Sequence, residues 1–318
     1  RNPFLPLIKK DEKFQYYADI ASGAQEAVVN ILCHIFKYGY SLTGCNNFLF
    51  SGGVAMNSAA LDKISTISSV NKIVIPPSPG DAGSSIGAAY YSYLKDQSNK
   101  EIKLSKPSLF PSQFRSKDQE KLAKNIIKEN FSVIKIEFNE VIAYAAELIR
   151  KGEVIGIIKN NSETGPRALG NRSLICDGTN TEAVRKLNTV IKNRSPFRPT
   201  APCLKFEAAD KYYYLRKELM ESYKTMSSTC KCKIGSKAID FPTTHIDQTA
   251  RLQIVEKGQI LYDLLNALEK FNIDILANSS FNLSGDPTCF DLIDGLMVCA
   301  LKPLNYIITD SGLLESKR

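Results

Sequence analysis

An apolar run, Val154-Ile155-Gly156-Ile157-Ile158, leads into the segment Glu163-Thr164-Gly165-Pro166-Arg167-Ala168-Leu169-Gly170-Asn171-Arg172-Ser173. A short apolar run closed by turn residues predicts a buried strand, and glycine and proline directly behind it predict a tight loop with a fixed backbone. The same order occurs earlier. Phe48-Leu49-Phe50 reads as a strand running into Gly52-Gly53, with a helix beginning near Asn57. Lys72-Ile73-Val74-Ile75 reads as a strand ending at Pro76-Pro77; beyond the turn Pro79-Gly80-Asp81, Ser84 to Leu94 reads as a closely packed small-residue helix. Strand, glycine loop and helix in repeated alternation predict an α/β fold.

The rest of the chain keeps this alternation. Ile20, Ala24, Ala27, Val28, Ile31, Leu32 and Ile35 fall at helical spacing, so Tyr16 to Tyr38 is expected as an amphipathic helix. Gln119 to Ile127, Val141 to Arg150, Glu182 to Ile191 and Leu261 to Phe271 read as further helices. Ser132 to Ile136, Asp274 to Ala277 and Asn305 to Thr309 read as strands. Lys95 to Arg115 is polar, holds Pro107 and Pro111 and lacks periodicity, which suits a linker. The expected organisation is a first domain over 1–98, connecting elements over 99–140 and a second domain over 141–318.

A length of 318 residues suffices for two domains with a sizeable core. No apolar run approaches the roughly 20 residues that span a bilayer, and Arg1-Asn2-Pro3-Phe4 does not open a signal peptide. The absent initiator Met leads to the expectation that a larger N-terminal part is missing. Eight cysteines in a chain this long make no disulfide scaffold, and Cys230-Lys231-Cys232 is too tight for a usual zinc half-site. Free thiols in a reducing cytoplasm are expected. The net charge of +8 suits anionic substrates and would equally suit RNA, so it decides little alone.

Chemistry concentrates in the turns. Besides the loop carrying Arg167, there are Lys192-Asn193-Arg194-Ser195-Pro196-Phe197-Arg198-Pro199, Asn278-Ser279-Ser280-Phe281-Asn282 and Ser51-Gly52-Gly53-Val54-Ala55-Met56-Asn57. Each sets cations, hydroxyls or amides beside glycine or proline, where several donors can fork around an anion. Gly52-Gly53 can present N–H groups to a phosphate at a helix start, or can simply be a tight turn. Asp81 can be an ordinary helix N-cap. A single basic residue is usually a solvated surface cation; Arg167, Lys192 and Arg198 together, each on a turn-bounded loop, read as an anion cradle. No Ser/His/Asp or Cys/His arrangement offers a nucleophile.

From about Asp19 to Asn305 the chain resembles the C-terminal part of the NodU/CmcH-type O-carbamoyltransferases. Phe50 to Asn57, Pro79-Gly80-Asp81-Ala82-Gly83, Gly165 to Ser173, Phe197-Arg198-Pro199 and Asn278 to Asn282 carry the resemblance by their order and spacing. It implies part of an actin-like ATPase domain (TsaD-like), followed by a YrdC-like α/β domain. In the first, Gly52, Gly53, Asn57 and Gly80 would line a nucleotide pocket, and Asp81 would be one ligand of a divalent metal, Fe2+. The family's other metal ligands are histidines of its N-terminal half. This chain has only His34 and His245, neither in an H-x-x-x-H pair, so an incomplete metal site is expected.

In the second domain the resemblance makes Lys192-Asn193-Arg194 and Ser279-Ser280-Phe281-Asn282 the segments that bind ATP and a carbamoyl donor, Arg194 either as a ligand or paired with an acid. Thr243 to Arg251 matches a family segment T-H-x-D-G-T-A-R, implying ligand contact for His245 and Arg251. Two departures stand out: Gln248 replaces the glycine, so a locally different turn is expected, and Asn160-Asn161 replaces Gly-Arg, removing a cation from the rim.

The implied reaction uses ATP, with Mg2+, and carbamoyl phosphate. It forms carbamoyl-adenylate and passes the carbamoyl group to a hydroxyl of a small molecule or sugar. Membrane and nucleic acid are not expected partners, a homodimer stays open, and the expected location is the cytoplasm. This chain alone is expected to form the adenylate without completing transfer. The alternatives are a threonylcarbamoylation-type tRNA enzyme and a nucleotide-binding pseudo-enzyme. The sequence does not name the acceptor.

Overall fold

The computed structural model describes residues 12–96, 109–111, 117–135, 137–195 and 198–318. Arg1 to Phe4, most of the expected linker, Pro196 and Phe197 lie outside the described residues. The chain is a mixed α/β fold. Helix α1 (Glu12–Thr43) precedes β1 (Asn47–Leu49), α2 (Ser58–Ile64), β2 (Lys72–Val74) and α3 (Ala82–Asp96). Strands β1 and β2 pair in parallel as a sheet of their own.

After β3 (Leu109–Pro111) and α4 (Lys117–Asn130) come β4 (Phe131–Lys135), α5 (Phe138–Arg150), β5 (Ile155–Ile158), β6 (Asn161–Glu163), β7 (Arg172–Asp177) and α6 (Thr181–Arg185). Then follow β8 (Ala201–Lys205), α7 (Phe206–Tyr212), α8 (Met220–Lys224), β9 (Thr229–Lys231), β10 (Thr249–Arg251), β11 (Gln253–Val255), α9 (Ile260–Leu268), β12 (Leu276–Ser280), α10 (Leu292–Leu301), β13 (Tyr306–Thr309) and β14 (Gly312–Ser316). Eight of these strands form one sheet in the order β11-β8-β12-β7-β5-β13-β14-β4. The pairs β11–β8 and β13–β5 are parallel and the remaining neighbours antiparallel.

Helices α5 and α9 cover one face of this sheet, burying Ala145, Ile149, Leu264 and Leu268 against Ile155, Ile157 and Leu276. On the other face α6 and α10 bury Val184 and Leu296 with Leu174, Phe281 and Ile307. A third cluster joins the early segment to the rest, packing Leu61, Ile64 and Ile73 with Tyr213, Tyr223 and Leu252. Each face is a layer in which apolar surface leaves water, the main favourable term in folding.

The observed elements differ locally from the expected ones. The helix expected over Glu182 to Ile191 is α6 followed by a wider π turn over Lys186–Ile191. The strand expected to stop at Ala277 continues to Ser280, so Asn278 and Ser279 are strand residues. In α1, Leu32 and Phe36 reach the core, whereas Ile20, Val28, Ile31 and Ile35 are exposed; that helix lies over one cluster and turns the rest of its apolar face outward. No described helix is long and apolar enough to cross a membrane.

Candidate functional site

The loop between β6 and β7 is held from three directions. Gly165 has φ +91, and a Cβ there would stand 2.0 Å from the Pro77 carbonyl oxygen. Only glycine allows both that conformation and that approach. Within the loop, Glu163 Oε1 accepts the N–H groups of Leu169 (2.6 Å), Asn171 (2.6 Å) and Arg172 (3.3 Å). From the sheet, Gln253 Nε2 donates to the Leu169 carbonyl at 3.1 Å and Asn278 Nδ2 to the Ala168 carbonyl at 3.0 Å.

The two arginines of this loop do different work. Arg172 is fully buried and donates to the carbonyls of Cys289 (3.0 Å), Phe290 (2.9 Å), Asn161 (3.2 Å), Asn171 (2.9 Å) and Lys159 (2.5 Å). It is an anchor. Arg167 instead lines a cavity of about 300 Å³ and touches the Met56 carbonyl at 3.4 Å.

Arg194, Arg198 and Arg251 line the same cavity with His245, Ser279 and Ser280. Among the described residues no carboxylate lines it. Burial pushes Arg167 and Arg194 below the usual arginine range, the neighbouring Arg198 adding to the effect on Arg194. Burial first, then the charges of Arg167, Arg194 and Arg198, push Arg251 down to about 9. Arginine keeps its proton in proteins, so these depressions mark electrostatic stress on charged groups, and a bound anion would relieve it.

His245 lines the cavity as a half-buried imidazole whose pKa burial lowers; its Nδ1 is 2.9 Å from Thr249 Oγ1. Asp247 Oδ1 accepts from the Thr249 N–H at 3.0 Å and the Thr249 hydroxyl at 2.7 Å. Gln248 adopts φ +63, so the turn keeps the left-handed conformation that a glycine would supply. Arg194 is a cavity residue rather than half of an ion pair: its Nη1 donates to Ser279 Oγ at 3.1 Å.

Lys192 does not line the cavity. Its side chain is fully buried and its Nζ donates to Ser280 O (2.7 Å), Asn282 O (2.8 Å), Ser280 Oγ (3.3 Å) and Asn282 Oδ1. Burial, then the Arg194 charge, pushes it down to about 7. Lys192 and Asn282 thus tie down the end of β12, which presents Ser279 and Ser280.

The early-segment residues form a different pocket. Gly52, Gly80 and Asp81 line a space of about 370 Å³ with Ser51, Pro77 and Thr164. The Gly52 N–H donates to the Pro79 carbonyl at 2.7 Å, so it closes the loop. Asn57 Oδ1 caps α2 through the Ala60 N–H at 3.2 Å, and its amide pairs both ways with Gln25 at 3.0 and 3.1 Å. Gly53 is exposed and opens a four-residue 3-10 turn. Asp81 is exposed, and among the described residues no group of three or more His, Cys, Asp and Glu is placed to hold a metal ion. One carboxylate does not fit an iron centre.

Glu163 and Asn278 stood inside motifs the sequence marked, the first shaping the Arg167 loop and the second lining the space. Gln253, which also shapes that loop, and Thr200 and Met226, which line the space, went unmarked. Thr200 directly follows the Arg198-Pro199 signal, and that adjacency was the available hint. Nothing local points to Gln253 or Met226.

Residues 146–316 match the carbamoyltransferase C-terminus family, and residues 6–90 match the carbamoyltransferase N-terminus family. Nodulation protein NolNO of Sinorhizobium fredii is 30% identical over 310 residues, covering 95% of this chain and 45% of that protein. Nodulation protein NolO of Bradyrhizobium diazoefficiens is 27% identical over 309 residues, covering 95% of this chain and 55% of that one. The chain spans about half the length of the curated relatives it matches. Among solved structures, P. abyssi Sua5 complexed with L-threonine gives a TM-score of 0.38 at 17% identity over 54% of this chain and 46% of that one, too slight a likeness to carry weight.

Proposed function

Because the chain belongs to the carbamoyltransferase family, we propose that its arginine cavity joins ATP and carbamoyl phosphate into carbamoyl-adenylate for O-carbamoyl transfer. One observation carries this: Arg167, Arg194, Arg198 and Arg251 converge on one space that no carboxylate lines among the described residues. Crowding four guanidiniums around one space without counter-charge, three of them partly buried and Arg198 exposed, is costly unless an anion completes the site. A triphosphate with a second, acyl phosphate group fits that demand.

The residues take these roles. Arg167, Arg194, Arg198 and Arg251 hold phosphate oxygens and neutralise charge that grows as pyrophosphate leaves. Ser279 donates its hydroxyl hydrogen bond in the cavity, the Ser280 hydroxyl donates instead to Asn282 Oδ1 at 2.7 Å, and Lys192 holds that end of the strand. His245, neutral, borders the nucleotide. One phosphate and one pyrophosphate released per carbamoyl-adenylate consume one water. The adenylate is the better carbamoyl donor, since AMP leaves more readily than phosphate alone. The acceptor is a hydroxyl of a small molecule or sugar, and the setting the cytoplasm. The cavity offers Mg2+ no carboxylate, so a magnesium ion entering with ATP would rest on phosphate oxygens and water. Residues 141–318 correspond to a YrdC-like domain, and 1–98 to part of an actin-like one joined through 99–140.

The test is pyrophosphate release from ATP with and without carbamoyl phosphate. Release that requires carbamoyl phosphate supports the reading. ATP binding without any release would instead favour a nucleotide-binding regulator.

A further inference from the structure

Arg194 and Arg198 reach the cavity from a turn with an unusual winding. After α6 the chain widens into the π turn over Lys186–Ile191, where the Lys192 N–H donates to the Leu187 carbonyl, five residues back, at 3.0 Å. Apolar packing holds that turn: Val184, Leu187 and Ile191 are fully buried in one cluster with Leu174 and Phe281. One added residue sets everything behind it back by about 100° against a continuous α-helix. Such widened turns are rare and gather at functional sites. Asn193 then takes φ +47, the left-handed conformation in which a helix commonly ends. The Arg194 N–H returns to the Asn188 carbonyl at 2.9 Å.

Asn188 also holds the far end of the same loop. Its Nδ2 donates to the Arg198 carbonyl at 3.0 Å, and the Arg198 N–H donates to the Ser195 carbonyl at 3.1 Å. Arg198 is exposed, so packing holds little of it and these backbone bonds set its place. Asn188 itself is fully buried and is not one of the residues lining the cavity. Its Oδ1 has no hydrogen-bond partner. A buried amide with one half unpaired costs stability, and for packing alone a leucine would serve better. What the amide adds is its bond to Arg198.

Resting on the reading of the arginine cavity as an ATP site, we infer that Asn188 is the positioning residue of the Arg194–Arg198 loop. Its carbonyl sets where Arg194 leaves the helix, and its amide sets where Arg198 stands. One buried residue thus fixes the spacing of two guanidiniums without touching the ligand. Like charges on an unheld loop would move apart into water; held together, they are ready for phosphate oxygens before the ligand arrives.

Calorimetry of ATP binding in double-mutant cycles tests this. Asn188→Leu keeps the carbonyl and removes the amide, and ATP affinity should fall roughly tenfold, the scale of one charge-assisted hydrogen bond misplaced. In an Arg198→Ala background the same change should cost less than about twofold, because no guanidinium is left to misplace. In an Arg167→Ala background, on a separate loop, it should cost the full roughly tenfold. Asn188→Ala, which adds no volume, runs through the same cycles in case leucine overfills the site. An equal loss in all three backgrounds would make Asn188 a packing residue and overturn the inference, as would unchanged affinity in Asn188→Leu. A wild-type chain that binds no ATP would overturn it together with the reading beneath it. The expected coupling to Arg198, without pyrophosphate release that requires carbamoyl phosphate, would uphold Asn188 and overturn carbamoyl-adenylate formation.

Discussion

Arg167 and Arg172 stand in one short motif, yet only one is free to meet a ligand. Arg167→Ala should weaken ATP binding by roughly 1.5–3 kcal/mol, the scale of one charge-assisted hydrogen bond, with little change in the urea midpoint. Arg172→Met should do the reverse in kind: it strands five carbonyls now served by one guanidinium. A stability loss of at least about 3 kcal/mol is expected, measured by urea unfolding. Equal loss of stability in both variants would contradict this division. The sequence showed both as arginines among glycines but could not sort them, because the sorting carbonyls of Cys289 and Phe290 come from far along the chain. The setting of Lys192 was hidden for the same reason: its lysine-x-arginine pattern was legible, and its burial under Ser280 and Asn282 was not.

At the scale of elements, strands and glycine loops were readable from apolar runs and turn residues. Val154 to Ile158 became β5 and its neighbour within a residue, and the alternation gave the mixed α/β class. Strand order was not readable, since β12 lies between β7 and β8 and only that insertion brings Asn278 and Ser279 beside Arg167 and Thr200. Two loops offer tests. Gly165→Ala combines a left-handed backbone with a Cβ 2.0 Å from the Pro77 oxygen, so a loss of at least about 2 kcal/mol is expected, with weaker ATP binding from the displaced Arg167. Gln248→Gly should stabilise by about 0.5–1 kcal/mol, because the φ of +63 costs a side chain about 1–2 kcal/mol and glycine's added unfolded-state entropy offsets part of the gain. Thermal and urea unfolding read both.

Over the whole molecule, buried thiols set the response to alkali. Burial pushes Cys230, Cys289 and Cys299 up to about 12, and Cys176 and Cys203 higher still. Thiols in the unfolded chain ionise near ~8.5, so the folded state holds more protons above that pH. Their stabilisation is complete below about pH 8.5 and is lost as pH rises towards the folded values. Lys192 runs the other way: its folded pKa of about 7 lies below the unfolded ~10.4, so its contribution grows as pH rises between them. Stability in reductant should therefore rise modestly from pH 7 to about 8.5 and fall beyond it, where five thiols outweigh one lysine. A urea midpoint still climbing at pH 10 would contradict this balance. Four arginines meet in one cavity, and the most direct measurement of what they bring together follows the carbamoyl carbon. Carbon-13-labelled carbamoyl phosphate, ATP and the chain should yield labelled carbamoyl-adenylate by mass spectrometry, and Arg167→Ala with Arg251→Ala should remove it. Label found only in carbamate, with ATP intact in the wild-type reaction, would contradict adenylate formation at the four arginines.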